Sequence, residues 1–228
     1  MTKKDWSKVI TAGIASVFLG MVVLSIVIYN TRKKKLGTKK LNDIIKDDID
    51  YWDGITETSQ KGAEKLSEWW KIVGQNYSVS QLRSPSFQSN HFWSAVYISS
   101  VMKRWGAGER FLYSARHSDF ICDGIKARNS EDENKIFWSY RPDQVSINVG
   151  DIIGLARASW VNFDNLCAGA PTHTDIVFRI DKTKDGYKAI VSGGNLANTR
   201  KTSYVDLDKN KKIVNPDKYL AVLKNKVT

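Results

Sequence analysis

From Val9 to Tyr29 the chain runs 21 residues without a charged side chain, VITAGIASVFLGMVVLSIVIY. A helix of that length spans the roughly 30 Å hydrocarbon core of a bilayer. Lys3, Lys4 and Lys8 precede the run, and Arg32, Lys33, Lys34, Lys35, Lys39 and Lys40 follow it. A cleaved signal peptide has a shorter apolar stretch and small residues at its cleavage site, whereas NTRKKK follows here. A buried core helix is not flanked by cations in this way. Residues 1–35 therefore read as a single transmembrane anchor, which divides the chain: whatever else it does is carried by residues 36–228. Residues 36–60 read as a juxtamembrane helical connector and 61–228 as the folded domain.

The formal net charge of +11 belongs mostly to the arm. Residues 1–40 hold nine Lys/Arg and one acid, while the remaining 188 residues hold 26 basic and 23 acidic groups. A nearly balanced domain without a nucleic-acid-binding motif argues against nucleic acid as a partner. The basic run suits anionic headgroups instead. Eight Trp, nine Tyr and eight Phe argue for a packed core. Cys122 and Cys167 rule out a disulfide-built scaffold and make no CxxC pair, so both read as buried bystanders. With three His (His91, His117, His173) and no HExxH or zinc-ligand spacing, no metal or other cofactor is expected.

Helical patterns come first. Leu41, Ile44, Ile45, Ile49 and Trp52 recur at helical spacing up to Gly54, and Ala63, Leu66, Trp69, Trp70 and Val73 form a second stripe over 61–74. Residues 75–92 read as loop. Ser94–Trp105 is a strong helix, stopped by Gly106-Ala-Gly108. Strand-like runs follow at 151–156, 175–180, 187–191, 204–207 and 219–223, separated by turn residues. Helices followed by antiparallel-looking strands make an α+β domain.

Ser94 opens its helix, His173 precedes the apolar run DIVFRI, and Asn195 sits in the turn after the next strand. A nucleophile at a helix N-terminus, a His base and a polar orienting residue form the papain arrangement. The helix start helps hold developing negative charge. Each residue also has a plain reading: Ser94 as an N-cap, His173 at the surface, Asn195 as a left-handed turn residue. Asp175 alternates with His173 along its strand, so it could orient that ring, bind substrate or simply be solvated. Arg157 suits a substrate carboxylate or the surface. His117 could line the cleft or hold a loop, and Trp93 adjoins the candidate nucleophile.

The stretches AEKLSEW (63–69), WSAVYISSVMKRWG (93–106), His117, Gly150-Asp151, Arg157, HTDIV (173–177) and Gly193-Gly-Asn195 together resemble the NlpC/p60 papain-like superfamily of cell-wall amidases and peptidases. They are most similar to a branch with the pattern AxxEW, WSAAFxSxVMRxAG, H, GD, R, HxDIV, GGN. The resemblance covers about residues 60 to 200. It implies a papain-like fold, with Ser94 as nucleophile, His173 as base and Asn195 as orienter, and with Trp93, His117, Arg157 and Asp175 at the substrate. Related amidases carry Cys where this chain has Ser94. A hydroxyl cannot form the thiolate–imidazolium pair and needs a true general base during attack.

The implied substrate is peptidoglycan, cut at amide bonds of its stem peptides by an enzyme held at the inner membrane. An uncleaved anchor also fits an antibacterial effector toxin with a secretion-carrier or immunity partner. Two alternatives stand beside this: an acyl hydrolase or acyltransferase acting on membrane lipid, and a non-catalytic binding module of the same fold. The positive-inside rule puts the domain in the cytoplasm, whereas cutting the wall requires the periplasm.

Overall fold

The computed structural model describes residues 36–227. The run 9–29 and its reading as a membrane anchor lie outside the described residues. No helix among the described residues is long and apolar enough to cross a membrane.

The sheet is built from the late part of the chain. Among the described residues six strands, β1 (Phe137–Tyr140), β2 (Ile152–Ala156), β3 (Thr172–Lys182), β4 (Tyr187–Gly193), β5 (Lys201–Leu207) and β6 (Ala221–Asn225), form one sheet in the order β1-β6-β2-β3-β4-β5. Every pairing is antiparallel. The helices are α1 (Thr38–Tyr51), α2 (Gln60–Ile72), α3 (Val79–Leu82), α4 (Pro85–Gln88), α5 (Ser94–Trp105) and α6 (His117–Asn129). The expected α+β class, helices first and antiparallel strands after, is the observed one.

The five expected strands are all present. β1 and α6 had no counterpart in the sequence pattern. In α6 the buried set His117, Ser118, Phe120, Ile121, Cys122, Gly124 and Ala127 covers much of the circumference and mixes polar with apolar residues. No clean stripe results. Residues 75–92, expected as loop, contain α3 and α4. Ser78 and Gln81 close a reciprocal capping box at α3, and Pro85 starts α4 at a position where its missing N–H costs nothing.

Residues 37–228 form one unit, and α1 is built into it. Leu41, Ile45 and Trp52 are buried, and the Asp48 carboxylate takes both Arg104 terminal nitrogens from α5. The segment expected as a connector thus carries part of the domain core. Burial pushes the Asp48 carboxyl above its ordinary range, and Arg104 opposes that. α5 packs against α2, α1 and β3, and α6 against β1 and β3. Asp151, at the head of β2, accepts from Asn148 N (2.7 Å), from Asn225 N (2.9 Å) and from Lys224 Nζ, tying β2 to β6. The Gly150-Asp151 pair is therefore a structural knot.

Candidate active site

Trp93 sets the position of Ser94. Its side chain is fully buried, stacked on Trp52 at 5.0 Å and tilted against Trp69 at 6.0 Å. This corrects its expected place at the substrate: the indole belongs to the core, and exposed Phe92 takes the wall position. Trp93 is also the N-cap of α5, so Ser94 is the first helical residue and its hydroxyl does not cap the helix. The N–H groups of the first turn have no acceptor within the helix.

Ser94 Oγ instead lies 2.7 Å from Nε2 of His117. His117 is the first residue of α6, buried, and its Nδ1 lies 2.8 Å from Thr174 Oγ1 on β3. A neutral ring with its proton on Nδ1 donates to Thr174 and leaves Nε2 to accept from Ser94. Burial first, then the proximity of His173 and Arg157, holds the His117 pKa well below the usual 6.5. The imidazole is thus neutral at neutral pH.

The partner of Ser94 differs from the one expected. His173 Nε2 lies 2.9 Å from Asp175 Oδ1, and the His173 and His117 rings are 5.1 Å apart. Neighbouring β3 residues point to opposite faces, so Thr174 reaches His117 while His173 and Asp175 share the other side. Asp175 orients His173, one of the readings left open for it. Asn195 lines the cleft with a positive φ of 55° but makes no hydrogen bond to either histidine.

The two glycines before Asn195 have packing reasons. A Cβ on Gly193 would sit 1.9 Å from Asp175 Oδ1, and one on Gly194 would sit 2.7 Å from Trp93 Cζ3. Only glycines let this turn close over both the His173–Asp175 pair and the Trp93 anchor.

A cleft of about 560 Å³ opens beside Ser94, His117, His173, Arg157, Arg116 and Asn195. Five residues expected at the site from sequence, Ser94, His173, Asn195, His117 and Arg157, therefore line the same cleft. Asp175 stands behind His173, and Trp93 lies beneath Ser94. Sequence reasoning missed Thr174, Arg116 and Phe92, and also the pairing of Cys122 with Cys167.

Those cysteines, expected as bystanders, form a disulfide with a Cα–Cα distance of 5.6 Å. Their separation of 45 residues concealed the link. The bond joins α6, five residues after His117, to the short turn Leu166–Ala168, which runs into the cleft wall Gly169–Pro171. It holds the segments carrying both histidines together. Among the described residues no group of three or more His, Cys, Asp or Glu side chains could hold a metal ion.

The class of site is a hydrogen-bonded Ser94–His117–Thr174 chain on an α+β frame, its serine half-buried at an open cleft and its other two members buried. The chain belongs to the family described as an uncharacterized protein conserved in bacteria (DUF2272), which matches residues 48–225. No curated protein and no solved structure matches it.

Proposed function

We propose that the protein is a serine hydrolase of the papain-like kind that cleaves amide bonds, with Ser94 as nucleophile and His117 as general base. The observation that carries this is the 2.7 Å contact between Ser94 Oγ and His117 Nε2 at the edge of the cleft. Ser94 Oγ attacks the substrate carbonyl and its proton passes to His117 Nε2. The carbonyl oxygen becomes an oxyanion, for which the free N–H groups at the start of α5 are suited donors. His117 then gives the proton to the departing amine. Water, deprotonated by the same nitrogen, releases the acyl group and restores Ser94. Thr174 holds His117 in the tautomer this sequence needs.

Arg157 and Arg116 make the cleft cationic and suit a substrate bearing a carboxylate. Peptidoglycan stem peptides have such groups, and the resemblance to cell-wall amidases supports that substrate. The Cys122–Cys167 disulfide supports an oxidising compartment, hence the periplasmic side of the inner membrane or the cell exterior, against the positive-inside reading. An immunity or carrier partner would accompany use as an effector. Phe92, 65% exposed at the cleft, favours a second reading in which an acyl chain of a membrane lipid is the substrate.

The test is Ser94→Ala and Ser94→Cys on purified peptidoglycan, with fragments read by mass spectrometry. Ser94→Ala should lose hydrolysis by orders of magnitude at a stability change of about 1 kcal/mol, the worth of one hydrogen bond. Ser94→Cys should retain it, because a thiolate can pair with His117. Full activity in Ser94→Ala would remove Ser94 from the chemistry. Release of fatty acid in place of wall fragments would favour the lipid reading.

A further inference from the structure

Glu57 lies in the segment between α1 and α2, outside the relay. Its side chain is buried, at 6% exposure. Oε2 accepts a 2.7 Å hydrogen bond from the Trp93 indole N–H, and the Glu57 backbone N–H donates to Asn198 O at 2.9 Å. No ion pair among the described residues includes it. Burying a carboxylate is costly unless a charge and hydrogen bonds compensate it. One neutral indole supplies a hydrogen bond and no counter-charge.

Glu57 also lines a second cleft of about 310 Å³, with Thr58, Gln88 and Asn198 among its polar walls. Phe92 and Asn195 line both this cleft and the one at Ser94. The two clefts carry opposite charge, guanidinium groups on one side and a carboxylate on the other, and Glu57 is hydrogen-bonded to Trp93, the residue before Ser94.

We propose that the Glu57 cleft is a subsite for a primary ammonium group. The ligand class is then a short peptide-like amide with a free amino group at one end and an anionic group toward Arg157. The place of this subsite beside the reacting bond rests on the reading of Ser94 as nucleophile; its capacity to bind an ammonium group does not.

Titration of the full chain in detergent, 15N-labelled at its Trp indoles, with L-alaninamide tests this. The probe carries an ammonium group and no carboxylate, and N-acetyl-L-alaninamide is its uncharged control. The expected result is a saturable shift of the Trp93 indole N–H with the amine and none with the acetylated probe. Glu57→Gln keeps an oxygen for Trp93 but removes the charge, and should weaken binding roughly ten-fold or more. In the wild-type chain, raising the pH well above the amine's pKa of about 8 should also remove the shift. Equal responses to both probes, or an undiminished response in Glu57→Gln or with the deprotonated amine, would overturn the proposal. Ser94→Ala should leave the titration intact, so a Ser94→Ala variant that keeps full hydrolysis and still binds the amine counts against the Ser94 reading and not against the subsite.

Discussion

Removing the disulfide should cost this domain a measurable share of its stability and open its cleft. Cys122 and Cys167 are 45 residues apart, and a cross-link closing a loop of that length lowers the entropy of the unfolded chain by an amount worth about 4 kcal/mol. For a domain of this size each kcal/mol moves Tm by about 2–4 °C, so reduction or the Cys122→Ser, Cys167→Ser double variant should lower Tm by roughly 8–16 °C. Function should respond as well, because the bond fixes the turn leading into Gly169–Pro171 against the helix that carries His117. The assay is thermal unfolding of the full chain with and without reductant, beside thiol labelling of the native and unfolded protein. Two free thiols in the native protein, or a Tm within about 2 °C of the oxidised value after complete reduction, would refute the reasoning.

Further outcomes concern the relay and its support. His117 must be neutral to accept the Ser94 proton, and its pKa is held well below 6.5, so kcat/KM should stay level as pH falls through 6.5 and decline only near the lowered value. The same depression contributes stability that is complete above pH 6.5 and lost as pH falls through the folded value; an acid limb centred at or above 6.5 would contradict the assignment. Thr174→Val removes the acceptor for His117 Nδ1–H and should lower kcat more than it alters KM, with Thr174→Ser restoring it and 15N spectra showing the ring tautomer change. Gly194→Ala drives a Cβ to 2.7 Å from Trp93 and should cost about 1–3 kcal/mol by chemical denaturation; an unchanged midpoint would show that the turn can yield.

The local pattern determined a good deal by itself. Ser94–Trp105 stood out as a helix, and Gly106, with a positive φ of 98°, ends it where the apolar periodicity stops. The five apolar runs after residue 150 are strands, because alternation and turn residues are properties of a few neighbours. The same locality brought Ser94, His173, Asn195 and Arg157 forward as candidates, since helix starts, strand ends and glycine turns can be read one segment at a time; His117 entered only through the family resemblance.

Tertiary structure decided which of them meet. Choosing between His117 and His173 as the partner of Ser94 depends on where α6 lies against β3. Packing that no stripe announces set that placement, with Gly124 lying so close to Ser139 that a Cβ would come within 2.3 Å of its hydroxyl. Thr174 enters the site only because adjacent β3 side chains face opposite ways, one toward His117 and the next pairing with His173. Cys122 and Cys167 had no local sign of each other, and Trp93 looked like a substrate contact until the rings of Trp52 and Trp69 closed around it. Periodicity encodes which face of a segment avoids water; which segments then share that face is settled by the joint packing of the whole chain.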